Sequence, residues 1–145
     1  MTDALLIRAA RREDAAANAA MKNAWMDASP WLPRCMSVHD VLLRHRDHMI
    51  PNRDVFVIGS PITGYIALDG ENYITSLFCR IRGQGLGKAL LDHVKGLRPD
   101  LWLWSFVDNV KACRFYEREG FVEQRRATGE SDEGLDDILY HWRRM

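Results

Sequence analysis

The stretch RIRGQGLGKALLDHV, residues 80–94, sets Gly83, Gly85 and Gly87 within five positions and then runs into an amphipathic segment. Glycine inside a regular element is destabilising, so these three need a use that outweighs the cost. Bare backbone N–H groups at a helix start form a nest for an anion, and the helix dipole adds favourable potential for a pyrophosphate. A side chain at 83, 85 or 87 would obstruct that approach. Three loop patterns compete. A P-loop, GxxxxGK[ST], needs a glycine where Arg82 stands and a hydroxyl where Ala89 stands. A dinucleotide fingerprint, GxGxxG, meets Lys88 when started at Gly83 and Leu90 when started at Gly85. The pattern Arg/Gln-x-x-Gly-x-Gly/Ala fits, on Arg82, Gly85 and Gly87. By itself the stretch reads equally as a phosphate nest or as a tight strand-to-helix corner.

A second group follows about thirty residues on. NVKACRFYEREGF, residues 109–121, places Tyr116 seven positions after Asn109, about two helical turns. By spacing alone Asn109 is a helix N-cap, and Tyr116 beside Phe115 is a core tyrosine. Other reactive side chains give weaker patterns. His45 and His48 form only an i,i+3 pair on one predicted helix with His39, and no third ligand is in view, so no metal is expected. Cys79 and Cys113 fall in predicted core elements and read as small buried residues rather than nucleophiles. Trp102 and Trp104 alternate on a strand and read as sheet packing. Trp25 and Trp31 flank a proline-broken loop, where an exposed aromatic is free to touch a ligand.

These residues need elements to hold them. LLIRA (5–9) reads as a strand, and the alanine-rich EDAAANAAMKNAWM (13–26) as a helix. SPWLPRCM breaks it with two prolines. SVHDVLLRHRDHMI opens with Ser37 and Asp40 in capping-box spacing and predicts a second helix. Three short β runs follow, DVFVIG (54–59), ITGYIALDG (62–70) and YITSLFC (73–79), punctuated as antiparallel hairpins. The helix after the glycines puts Leu86, Ala89, Leu90, His93, Val94 and Leu97 on one face and ends at Pro99. LWLWSFV (101–107) is a strand and 109–120 a helix closed by Gly120. FVEQRRA and DDILYHWRR finish as strands. The order β-α-α-β-β-β-α-β-α-β-β predicts a mixed α/β fold: a central, mostly antiparallel sheet with one parallel βαβ step and helices on both faces.

The 145 residues suit one domain, spanning 1–145, with 47% hydrophobic and 28% charged residues. Twenty basic residues balance 20 acidic ones, so charge argues for neither nucleic acid nor membrane as a partner. The N-terminus lacks the long apolar stretch of an export signal, and three cysteines without CxxC spacing make no disulfide framework. A cytoplasmic location is expected.

Taken together, ITSLFCRIRGQGLGKALLDHV and LWLWSFVDNVKACRFYEREGF resemble the GNAT superfamily of acyl-CoA-dependent N-acetyltransferases, and the element order matches that fold. The tail DDILYHWRR and the WLP loop look like a subgroup of small single-domain bacterial members. The resemblance implies acetyl-CoA as co-substrate, with no metal. It makes the backbone of Arg82, Gly83, Gln84, Gly85, Leu86, Gly87 and Lys88 the pyrophosphate cradle. Leu77, Phe78 and Cys79 would offer main-chain hydrogen bonds to the pantetheine arm and the thioester carbonyl, and Asn109 would contact the same arm. Tyr116 falls where many members keep a tyrosine beside the CoA sulfur. A primary amine then attacks the thioester, backbone N–H groups stabilise the oxyanion, and a phenol of pKa about 10 protonates the leaving thiolate. Trp31 would border the acceptor.

Two departures stand out. Only Arg80 and Ile81 separate Cys79 from Arg82, two residues fewer than the family's usual loop. Thr75 stands where many members place a glutamate as general base, which leaves Glu71, Asp69 or water for that task. The acceptor is therefore expected to be the amine of a small molecule, protein or peptide, met by a monomer or homodimer. The competing reading is a GNAT-fold acyl-CoA sensor or interaction module with little catalysis.

Overall fold

The computed structural model describes residues 6–145. Its first strand, β1 (Ile7–Ala9), starts two residues later than the sequence suggests, and Leu5 lies outside the described residues. After one tight turn come α1 (Ala15–Asp27) and α2 (Val38–Arg44). Ser37 caps α2 by accepting the Asp40 N–H at 3.1 Å. The predicted second helix then widens into a π-helical turn at His45–Met49 and ends in a short α3 (Ile50–Asn52).

Strands β2 (Asp54–Ile58), β3 (Gly64–Leu68) and β4 (Ile74–Cys79) follow as antiparallel neighbours, giving the sheet order β1-β2-β3-β4. β3 is buried along its whole length because helices cover both faces. Ile58, Ile66, Leu68 and Ile74 pack on α4 (Leu86–Lys95), through Leu90, Leu91 and Val94. Val55, Val57, Tyr65 and Ala67 pack on the other side with Met21 of α1 and Met49. Gly64 is required for that closeness. A Cβ there would sit 3.1 Å from Ile58 Cγ2 and 3.2 Å from Leu90 Cδ1.

The second half of the chain builds a separate sheet, β5-β7-β6, from β5 (Asp100–Phe106), β6 (Val122–Ala127) and β7 (Asp137–Arg143), with α5 (Val110–Arg118) between β5 and β6. The mixed α/β class and the element order agree with the sequence reading. The one parallel step is present but brief, and it divides the strands into two antiparallel sheets. The parallel neighbours β4 and β5 meet only at one end, through the bridge Tyr73–Trp102 and the Trp102 N–H to Asn72 O bond of 2.9 Å. Beyond that point they splay apart. A bulge supplies a physical reason: Ala67 pairs with Ser76 and Leu68 with Ile74, so Thr75 is an extra residue that bends and twists β4.

His45 belongs to the core, where it is 1% exposed. Its Nδ1 donates to Val41 O and its Nε2 pairs with the Tyr65 hydroxyl, both at 2.8 Å. Burial first, then Lys22, Arg44 and Arg53, hold its pKa below the ordinary 6.5. The unfolded chain therefore binds the proton at a higher pH than the folded one. Stability should be complete above about pH 6.5 and fall as pH drops from there toward the folded-state pKa. Denaturation midpoints between pH 7.5 and 5 measure this. A flat profile over that range would mean that His45 binds its proton equally well in the folded and unfolded chains.

Candidate active site

The turn from β4 into α4 is built on two left-handed glycines. Gly83 has φ +76° and Gly85, the N-cap of α4, has φ +73°. This conformation is costly for residues with a Cβ, which is the first reason for glycine here. A Cβ at either position would meet nothing within 4 Å, so the backbone faces open space. Gly87 differs, since a Cβ there would touch Phe115 Cζ at 3.5 Å, an ordinary contact. The obstruction expected at all three glycines is thus replaced by a conformational requirement at two of them.

The N–H groups of residues 82–88 donate to no other described residue. Arg80 and Arg82 are exposed and lack carboxylate partners among the described residues, whereas the Lys88 side chain is tied to Glu119 at 3.1 Å and Asp92 at 3.3 Å. Free donors, a helix dipole and two unpaired guanidinium groups suit a pyrophosphate. The short connection closes because the Arg80 N–H reaches Thr63 O at 2.8 Å, extending the β3–β4 pairing before the loop turns.

Tyr116 follows Phe115, the residue that faces Gly87. Its ring packs on Phe115, Phe121 and Tyr140, with centroids 5.3, 5.7 and 6.4 Å away. Its hydroxyl has no hydrogen-bond partner among the described residues. Burial raises the phenol pKa, with Cys79 and Cys113 adding to the effect, so it keeps its proton across the neutral range. Burial likewise pushes the Cys79 thiol up to about 11, which makes it a poor nucleophile. Asn109 caps α5, its Oδ1 accepting the Ala112 N–H at 3.4 Å. Leu77, Phe78 and Cys79 pair with β3 on one edge. Divergence of β5 leaves their other edge open.

On the opposite face, the splay is roofed by aromatic rings. Phe78 of β4 packs on Trp25 at 5.1 Å, Trp25 on Trp31 at 6.0 Å, and Trp31 on Phe106 of β5 at 5.8 Å. Trp31 therefore spans the gap between the diverging strands. Beside this roof is a cavity of about 400 Å³ lined by Lys22, Arg44, Arg53, Thr75, Ser76 and Trp104, among others. Thr75 Oγ1 accepts from Arg53 Nη1 at 3.0 Å. A second cavity, also about 400 Å³, lies across Trp104 and includes Arg125, Glu133 and Asp137.

The structure thus brings Thr75 to the cavity and leaves Glu71 in an exposed turn outside its lining. Asp69 lines the cavity, but its Oδ1 accepts the N–H groups of Glu71 and Tyr73 at 2.8 and 3.0 Å. Sequence reasoning missed Lys22, Arg44, Arg53 and Trp104. Lys22 did carry a signal, as a lone charge in the run AAANAAM-K-NAW. Trp104 turned out 38% exposed, with the Arg125 guanidinium 4.9 Å over its ring.

A family model described as an acetyltransferase (GNAT) domain matches residues 51–123. The peptidyl-lysine N-acetyltransferase YjaB of Salmonella typhimurium is 36% identical over 77 residues, 52% of this chain and 48% of that protein. The chain thus spans about half the length of the curated relative it matches. The solution structure of apo YjaB from Escherichia coli superposes with a TM-score of 0.76 at 22% identity, covering 94% of this chain and 96% of that one. The Salmonella typhimurium protein yncA, solved with its cofactor acetyl-CoA, superposes at 0.70 with 19% identity, over 95% and 92% of the two chains. At these identities the structural likenesses speak for the fold alone.

Proposed function

The chain belongs to the GNAT acetyltransferase family, and from that premise we propose that it moves an acetyl group from acetyl-CoA to a primary amine by direct attack on the thioester. One observation carries the proposal. Cys79 at the end of β4 links the parts: its Sγ would lie 3.9 Å from a Cβ at Gly87, in the turn whose N–H groups are free, and it acts on the buried phenol of Tyr116. The thioester supplies an already activated acyl group, so the chain's residues need only bind, orient and move protons.

In this reading the 82–88 backbone, with Arg80 and Arg82, holds the pyrophosphate. Open main-chain groups of Leu77, Phe78 and Cys79, together with Asn109, align the pantetheine arm along β4. Donors fixed before the reaction stabilise negative charge where it develops without reorganising. Tyr116 holds its proton for the leaving sulfur. The acceptor approaches from the aromatic roof, past Trp31, toward Thr75. Threonine cannot take a proton at neutral pH, Glu71 sits outside the cavity and Asp69 Oδ1 is held by turn N–H groups, so the acceptor's ammonium loses its proton to water before the free amine attacks. We place this chemistry in the cytoplasm, in keeping with three free cysteines.

Thiol release from acetyl-CoA in the presence of an amine panel tests the proposal. Amine-dependent turnover should appear, and its rate should climb with pH toward the pKa of the accepted amine. Thermal stabilisation by acetyl-CoA without turnover on any amine would identify an acyl-CoA-binding module instead. A rate plateau well below the amine pKa that vanishes in Glu71→Gln would make Glu71 the base.

A further inference from the structure

We infer that the cavity beside Thr75 holds an anionic oxygen group of the acceptor, a carboxylate or a phosphate carried on the same molecule as the attacking amine. The inference rests on acetyl transfer as the reaction of this site. Lys22 from α1, Arg44 from α2 and Arg53 just ahead of β2 converge on this one cavity. None of the three has a carboxylate partner among the described residues. Arg53 donates to the Thr75 hydroxyl, a neutral partner that leaves its charge unbalanced. Asp69 is the carboxylate in the lining, and the turn N–H groups of Glu71 and Tyr73 already occupy its Oδ1. The cavity keeps an excess of positive charge.

Lys22 is the most telling of the three. It is half-buried and makes no hydrogen bond to another described residue. Burial lowers its pKa, Arg44 and Arg53 push the same way, and Glu133 from the neighbouring cavity offsets part of this. Charged groups taken out of water are ordinarily paired. An anion seated between Lys22, Arg44 and Arg53 would supply that pairing, with the guanidinium groups suited to a planar carboxylate or a phosphate.

Residue 75 fits the same logic. A carboxylate side chain there would meet Arg53 and neutralise it from within the protein. Threonine keeps the guanidinium oriented and leaves its charge for a ligand. The two cavities that meet at Trp104 also differ in sign, because Glu130, Asp132, Glu133 and Asp137 line the far one. An amine with an anionic tail is itself dipolar and matches this arrangement. The site is separate from the pyrophosphate nest, since no residue of α4 or of the loop before it lines the cavity.

Three acceptors of similar size test the proposal: β-alanine, phosphoethanolamine and uncharged-tail β-alaninamide. At low ionic strength kcat/KM for at least one anionic acceptor should exceed that for the amide by about tenfold or more, and the ratio should shrink in high salt. Whichever anion leads identifies the source. The ratio should collapse to within about twofold in Lys22→Met/Arg44→Gln, while Arg118→Gln, on exposed surface away from the cavity, should preserve it. Calorimetry on CoA-saturated protein reads the same preference without turnover, so a failure of acetyl transfer is distinguished from a failure of the anion site. Tighter binding of an anionic acceptor than of the amide, with no transfer, would keep the site and remove the reaction. Equal binding and equal turnover of all three, or a preference for a lysine peptide amide lacking any anion, would overturn the inference.

Discussion

Tyr116→Phe should lower kcat by about 10²–10⁴-fold while leaving acetyl-CoA affinity nearly unchanged, if proton transfer to the leaving sulfur limits the rate. The substitution removes one oxygen and keeps the ring. The contacts to Phe115, Phe121 and Tyr140 are made by that ring. The hydroxyl bonds to no other described residue, so its loss leaves no partner orphaned and should cost little stability. Folding and activity are thereby separable in a single variant. The raised phenol pKa adds a second check: its ionisation should not shape the neutral limb of the wild-type rate profile. Single-turnover rates at saturating amine isolate the chemical step. Wild-type rates in Tyr116→Phe under those conditions would return Tyr116 to the packing role that its helical spacing suggests.

What the sequence made legible was whatever repeats locally. The face of α4 is written in Leu86, Leu90 and Val94, and the end of α5 in Gly120, whose φ is +93°. Ser37 and Asn109 announced their caps and fill them. The splay was not legible, because it depends on the register between β3 and β4, where Thr75 becomes an extra residue only once Ala67 has paired with Ser76. The alternation of Trp102 and Trp104 was visible, and it correctly separates the strand's faces. It could not say that Trp102 would stack on His141 at 3.9 Å while Trp104 would divide two cavities. Lys22 and Arg53 stand more than thirty positions apart with Arg44 between them, and only the packing of α1 against α2 and the first sheet assembles them. The partners of the second helix's histidines were also beyond local pattern: the i,i+3 spacing of His45 and His48 argued against a metal site, but only the fold shows that His45 bonds a carbonyl and a phenol.

Gly85→Glu should abolish the stabilisation of the protein by acetyl-CoA. A ligand at 100 times its Kd adds about 2.7 kcal/mol to the stability of the wild-type fold, an easily measured rise in Tm. Two effects of the substitution must be separated. A residue with a Cβ at φ +73° costs roughly 1–2 kcal/mol whether or not a ligand is present. That cost lowers the baseline and says nothing about the nest. The added carboxylate, in contrast, points into the open space at the start of α4 and places negative charge where the pyrophosphate would sit. It should act on the ligand-induced increment alone. Gly85→Asn separates the two, because asparagine tolerates the left-handed conformation and carries no charge. The asparagine variant should keep a substantial part of the acetyl-CoA shift, and the glutamate variant none of it. Loss of the shift in both, with each folded, would tie binding to bare backbone access rather than to charge. A full shift in folded Gly85→Glu would remove the pyrophosphate from this turn, and with it the reason for two left-handed glycines ahead of the helix.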